Sequence, residues 1–274
     1  MRLLKNSLSL GVFVFSLLTL AFSTPAFAVQ SVTVDTTLSA DGSQNGANFA
    51  ADATLTAPSG TTINIAANAN GVTTATNNTG SLTFAGGAST VTGVVGTSGT
   101  ALKAISAGVA GSTTTFSGNV FNTTTNVVST GTITFNGNLT GTTVNYNADG
   151  DVQLADTKTL TAAITTNTTN TGSLSFLGAG TMTGQVGTSA NLLRLVNGGL
   201  AGKTVTFAND VFATTTNVSG TGTLALNGNL TGTTVNYNAD GDVQLADAKN
   251  ITAAITTNTN ATGSLSLLGT NTVS

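Results

Sequence analysis

The acidic side chains of this chain are all aspartate, and six of the ten fall in one decapeptide that occurs twice. NADGDVQLAD places Asp149, Asp151 and Asp156 together, and the same ten letters return with Asp240, Asp242 and Asp247. Closely spaced carboxylates supply hard oxygen ligands for Ca²⁺, with Asp149, Asp151, Asp240 and Asp242 as the candidates. They could also serve as an acid and base pair on a saccharide. The spacing matches neither the EF-hand loop nor the glycine-rich nonapeptide that binds Ca²⁺. Asn147-Ala148-Asp149-Gly150 reads equally as a corner, where Asp bonds its own backbone and Gly turns the chain. A catalytic centre is rarely needed once per structural repeat. The corner therefore ranks first, a Ca²⁺ site second and catalysis last, and no catalytic, cofactor or metal residue is assigned.

Nucleophilic chemistry has little to draw on. The chain has no Cys and no His, so its many hydroxyls lack the usual base. A Ser–Lys pair through Lys103, Lys158, Lys203 or Lys249 is formally open, against the simpler reading of solvated surface lysines. Tyr146 and Tyr237 recur in VNYN, alternating with Val144 and Val235, and read as stacked wall residues. Thr132/Thr134 and Thr204/Thr206 suggest a flat threonine ladder, but Asp151/Gln153 and Asp242/Gln244 interrupt it. The enzyme class is expected to be absent.

What must position these residues is a repeat. The segment 136–156 recurs unchanged at 227–247, an offset of 91. Within that unit, apolar pairs separated by one position return: Ile133/Phe135, Val152/Leu154, Leu174/Phe176, Val205/Phe207, Leu224/Leu226, Val243/Leu245 and Leu265/Leu267. From one second member to the next the steps are 19, 22, 31, 19, 19 and 22. Period-2 alternation makes each pair a short strand, and a return at about that spacing is one rung of a solenoid. Earlier pairs are Ile63/Ile65, Leu82/Phe84 and Thr114/Phe116. The expectation is an all-β parallel β-helix of ~19–22-residue rungs, four rungs to each 91-residue cassette. The surplus of the long step, within 184–202, is expected to bulge outward and to present loops such as 190–199 every four rungs along one face. A tandem sandwich fold of similar period is disfavoured, because the strands share one short spacing and the chain has no Trp.

The segment 1–28 reads as a cleaved signal peptide, with Arg2 and Lys5 ahead of an apolar stretch and Ala26-Phe27-Ala28 as the cleavage site. The segment 29–60 repeats poorly and is expected to form an N-terminal cap, leaving 61–274 as the repeat region. Ser274 corresponds to Thr183 one unit earlier, so the sequence is expected to be a fragment or truncation in mid-cassette. Without Arg2 and Lys5, five basic residues face ten acidic ones, and the net charge moves from −3 to −5. Such a chain has no electrostatic footprint for nucleic acid or an anionic membrane. An exported chain without Cys has no disulfide to staple it, so strand pairing and a continuous apolar interior must hold the fold.

The segments at 79–98 (TGSLTFAGGASTVTGVVGTS), 171–189 (TGSLSFLGAGTMTGQVGTS) and 213–218 (ATTTNV) resemble passenger repeats of the rickettsial surface-antigen autotransporters. The resemblance covers about 79–274, with a compatible signal peptide. It implies a parallel β-helix displayed on an outer membrane, serving as adhesin or surface antigen toward a host-cell macromolecule. Relatives of that kind carry a C-terminal membrane barrel, and no segment here reads as one. The functional expectation is a secreted, noncatalytic surface repeat protein, without cofactor, exported to the cell surface, or periplasmic if the chain is not translocated. A surface-layer or matrix protein that packs laterally on itself is the second reading, and a polysaccharide-active β-helix enzyme the third.

Overall fold

The computed structural model describes residues 30–37, 46–58, 64–65 and 71–274. The signal segment and Ile63 lie outside these residues. The described chain is all β: 26 short strands, paired in parallel throughout, wind into a solenoid of about eleven turns. No helix among the described residues is long and apolar enough to cross a membrane.

Three ladders of pairing run along the solenoid. Thr132–Phe135 lies in the first, stacked between Thr113–Phe116 and Asp151–Leu154. The next strand, Leu139–Tyr146, is two straight pieces rather than one. Its pairing with Lys158–Thr166 shifts register between Thr140 and Thr143. In the matching strand Val120–Val127 the inward positions are Val120, Asn122, Thr125 and Val127, so alternation slips in the middle. Val120 bridges Val95, while the second half of that strand pairs with Leu102–Ala107. Each such strand therefore turns a corner, with its first half in a second ladder and its second half in a third. The eleven- and twelve-stranded sheets traced by hydrogen bonding are these ladders joined through the bent strands, and the three-stranded sheet is the start of the second ladder.

Inside, each ladder contributes a column of apolar side chains in axial register. The second ladder runs Val72, Val95, Val120, Leu139, Leu160, Met182, Phe207, Leu226 and Leu245, all fully or almost fully buried. In the first, Phe116 stacks on Phe135 with ring centroids 5.3 Å apart. Period-2 alternation produces this because one face of every short strand looks inward. The stretch expected to act as a cap supplies Gln30–Val32, Ala47–Phe49 and Thr54–Ala57, which pair in parallel toward the turns that follow.

The structure corrects the reading of the long step. Leu174 stacks on Val196, one turn on, not on Val205. Val205 and Phe207 belong to the second ladder, on Gly180 and Met182. The interval from Phe176 to Phe207 is one turn plus the passage to the next ladder. Phe176 and Phe207 do touch, but edge to face across the interior, with centroids 5.6 Å apart. Most of the expected outward loop is a strand, Leu193–Gly198, with Leu193 and Val196 buried. Only 187–192 remains as the loop.

The cassette consequently does not repeat after four turns. Thr132–Phe135 is in the first ladder, and its counterpart one cassette later, Thr223–Leu226, is in the second. Between them the first ladder is crossed at Asp151–Leu154, Thr171–Phe176, Leu193–Gly198 and the second half of Val211–Val218. Four turns and a third therefore separate the copies. At ~4.8 Å per turn the copies are related by a rise of about 21 Å and a rotation of about one third. Identical residues thus face different sides of the rod.

The inward and outward assignment predicts opposite outcomes for neighbours. Phe207 is 1% exposed, and Thr206 points outward between Thr181 and Ala225. Phe207→Asp should remove at least about 4 kcal/mol of stability by stranding a carboxylate in the core. Thr206→Asp should change it by less than about 1 kcal/mol. Urea unfolding of the two variants checks this, and equal losses would contradict the assignment.

Candidate functional site

Four of the six repeated aspartates, Asp149, Asp156, Asp240 and Asp247, sit at the corners between ladders, and each reaches along the axis. Asp149 Oδ1 accepts the backbone N–H of Gly172, one turn on, at 2.9 Å. Asp156 Oδ1 accepts that of Ala179 at 2.7 Å. In the second copy Asp240 takes Gly263 N–H at 3.0 Å and Asp247 takes Thr270 N–H at 2.7 Å. The corner reading places these carboxylates on their own backbone; they bond the next turn instead. The reason is geometric. Stacked corners leave an amide of the upper turn facing down, and a buried or half-buried N–H needs an acceptor.

Asparagine does the same work at other corners. Asn119 Oδ1 accepts Asn138 N–H at 2.9 Å, and Asn138 Oδ1 accepts Thr159 N–H at 2.9 Å. Asp210, Asn229 and Asn250 repeat this relay one cassette later. A reading of the sequence for chemistry passes these asparagines over. Their signal is a recurring Asn or Asp one turn apart, immediately before the strands that open at Val120, Leu139, Val211 and Leu230.

Three cations complete the corner columns. Lys103 Nζ lies 2.6 Å from Asp52, Arg194 Nε 2.6 Å from Asp149, and Lys203 Nζ 2.7 Å from Asp156. In each case the carboxylate holds an amide one turn away and a cation two turns away. The lysine beside Asp52 and the one beside Asp156 hold those carboxyls below their usual range. All three pairs are half-exposed, where such contacts contribute little individually. Of the lysines considered for Ser–Lys chemistry, Lys103 and Lys203 are thus tied to aspartate.

Asp151 differs. It points outward from a strand, with Gln153 Nε2 donating to Oδ2 at 2.8 Å and Ser175 Oγ donating to Oδ1 at 3.0 Å. Burial raises its carboxyl above the usual value, while those hydrogen bonds and the Arg194 charge oppose the rise. Asp242 is bonded by Ser264 at 2.7 Å and by Ser266 at 3.1 Å. Asp149 and Asp151 are therefore neighbours in sequence that serve separate partners. Among the described residues no group of three or more His, Cys, Asp or Glu side chains is gathered to hold a metal ion.

Tyr146 and Tyr237 line the interior. Tyr146 donates its hydroxyl to the carbonyl of Ser173, and Tyr237 does so to that of Ser264. Burial pushes the Tyr146 hydroxyl well above its ordinary value and Tyr237 up to about 12. Gly172 and Gly263, both at φ +85°, are required above these rings: a Cβ on either would fall within 2.5 Å of tyrosine ring carbons.

These features define a three-ladder parallel β-solenoid whose corner side chains serve its own stacking. Comparison with known protein families, curated proteins and solved structures finds no match.

The raised carboxyl of Asp151 gives a pH test. A folded-state pKa above the unfolded one means that the folded chain keeps the proton to higher pH. The contribution is complete below the unfolded value, about 4, and is lost as pH rises through the folded value. Asp151→Asn removes this dependence. In urea titrations the stability difference should shift in favour of the Asn variant as pH rises from about 4 to about 7. A difference that stays constant with pH would contradict it.

Proposed function

We propose that this chain is a noncatalytic, surface-exposed passenger-like rod, acting as an adhesin or surface antigen toward a host-cell or other surface macromolecule. The observation that carries this reading is the rotation between cassettes. Duplication repeats an exposed polar surface on a second side of a rigid rod, about 21 Å further along. A duplication of that kind multiplies contact surface. The aspartates repeated with it are engaged by the next turn, which is a scaffold role. The signal-peptide-like segment 1–28 and the resemblance to rickettsial autotransporter passengers support export and outer-membrane display. On this reading membrane attachment belongs to a C-terminal barrel.

A lateral coat is the second reading, favoured by one outward column of the first ladder. There Asn197 donates to Ser175 at 3.2 Å, Asn217 to Asn197 at 2.8 Å, and Thr256 to Asn236 at 3.1 Å. A flat, uncharged column whose amides are held in line is suited to packing against a second rod.

Display is tested by adding protease to intact cells that bear the chain. The proposal expects its loss while a periplasmic marker stays protected. Survival of the chain in sealed cells would contradict surface display. Ordered sheets formed by the purified protein would favour the coat, and saturable host-cell binding the adhesin.

A further inference from the structure

We propose that each cassette carries a binding subsite for a neutral oligosaccharide, built around an outward-facing phenylalanine: Phe121 in the first and Phe212 in the second. The inference adds a ligand class to the surface-binding reading above, and it can be tested on the purified chain wherever the protein resides.

Phenylalanine in this fold belongs inside. Phe49, Phe84, Phe116, Phe135, Phe176 and Phe207 are all buried in the core. Phe121 and Phe212 sit on the opposite parity of their strands and remain partly exposed. Phe121 is on the wall of a groove of about 280 Å³, between 97–101 and the strands Val120–Val127 and Leu139–Tyr146. None of the residues lining the groove is charged. Asn77, Ser98, Thr140 and Thr142, all exposed, line the same groove. Among the described residues, the hydroxyls of Ser98, Thr140 and Thr142 and the amide nitrogen of Asn77 bond no other side chain or backbone group, whereas Thr97 and Thr123 do. The groove thus offers one aromatic side chain and several free neutral donors and acceptors.

That combination suits a sugar ring, which has an apolar C–H face and a rim of hydroxyls. An ionic ligand would find no counter-charge here, and a purely apolar one would strand the threonines. The volume is near the lower end of ligand pockets (roughly 300–1,000 Å³), which fits a unit or two of a longer glycan.

The second cassette repeats the frame. Thr188, Ser189, Phe212, Thr231 and Thr233 stand one cassette length after Thr97, Ser98, Phe121, Thr140 and Thr142. Phe121 pairs with Thr140 as Phe212 pairs with Thr231. The loop passes equally close beneath both: a Cβ on Gly96 would meet Phe121 O at 2.3 Å, and one on Gly187 would meet Phe212 O at 2.2 Å. An outward phenylalanine kept with its threonine neighbour and its tight loop has no role in the core. With the rotation between copies, the two subsites face different sides of the rod, so one chain can engage two glycan strands.

The test is a titration of the purified chain with chitopentaose, maltopentaose and mannopentaose, followed by NMR of the phenylalanine ring signals. The expected result is saturable shifts of Phe121 and Phe212 with at least one of these probes and none for buried rings. Phe121→Ser with Phe212→Ser should weaken that binding by at least about tenfold. Thr140→Asp with Thr231→Asp, at outward positions, gives the same readout if the serine variant does not fold. No shift with any of the three probes at about 10 mM overturns the proposal. So does undiminished binding by a folded variant, or tighter binding of a sulfated pentasaccharide than of any neutral one. Protease sensitivity on cells reads display and this titration reads binding, so either proposal can fail without the other.

Discussion

Everything in this fold depends on axial register: each polar or apolar group must meet a compatible group one turn above and one turn below. Parallel ladders satisfy the strand amides, but corners leave amides without a strand partner. A corner Asp or Asn side chain supplies the acceptor, as Asp149 does for Gly172 and Asn138 for Thr159. This requirement accounts for a composition that otherwise looks impoverished. Thr suits the outward face of a strand, Asn and Asp suit corners that must bond upward, and Gly is needed where the next turn passes too close for a Cβ. Charges are few because like charges one turn apart would sit ~5 Å from each other. At three corner carboxylates, Asp52, Asp149 and Asp156, a cation lies two turns away.

Register also explains why one cassette is not a whole number of turns. A duplication survives in a solenoid if its ends can continue the coil, and any ladder accepts a strand of inward apolar pairs. The second copy begins one ladder later and still stacks, because Leu224 and Leu226 fill the column behind Val205 and Phe207 as readily as Ile133 and Phe135 fill that behind Thr114 and Phe116. The fit is not perfect everywhere. Thr125 lies in the core and is bonded by Asn122, but its counterpart Thr216 faces Ala213 in place of that asparagine and its hydroxyl has no partner. For surface recognition the consequence is larger than for stability. Identical exposed residues are distributed around the rod, so a repeated contact is made on more than one side.

Much of this is legible in the letters. Period-2 apolar pairs such as Val152/Leu154, returning at turn length, give parallel stacking and the inward face correctly. The second ladder hides because its first-cassette members, around Leu139 and Leu160, are short and followed at once by a bend, so no pair forms there. Phe176 and Phe207 mislead most. They do touch, yet across the interior, and a one-dimensional reading of spacing cannot separate an axial neighbour from a transverse one. Asp149 and Asp156 do sit at corners, but their partners lie 23 residues away, at amides that no side-chain motif marks. The outward Phe121 and Phe212 need the parity of bent strands, which only the slip at mid-strand reveals.

The central claim is the ladder assignment across the long step, and engineered disulfides test it directly because the chain has no cysteine of its own. Ser175 and Asn197 are register partners on the outside of the first ladder, whereas Thr206 partners Thr181 in the second. Adjacent parallel strands ~4.8 Å apart lie within the span of a disulfide. The account predicts that Ser175→Cys with Asn197→Cys, and Thr181→Cys with Thr206→Cys, oxidise readily in the folded protein, while Ser175→Cys with Thr206→Cys does not. Efficient closure of the Ser175–Thr206 pair, with failure of the other two, would restore the four-rung cassette and contradict the rotation between copies.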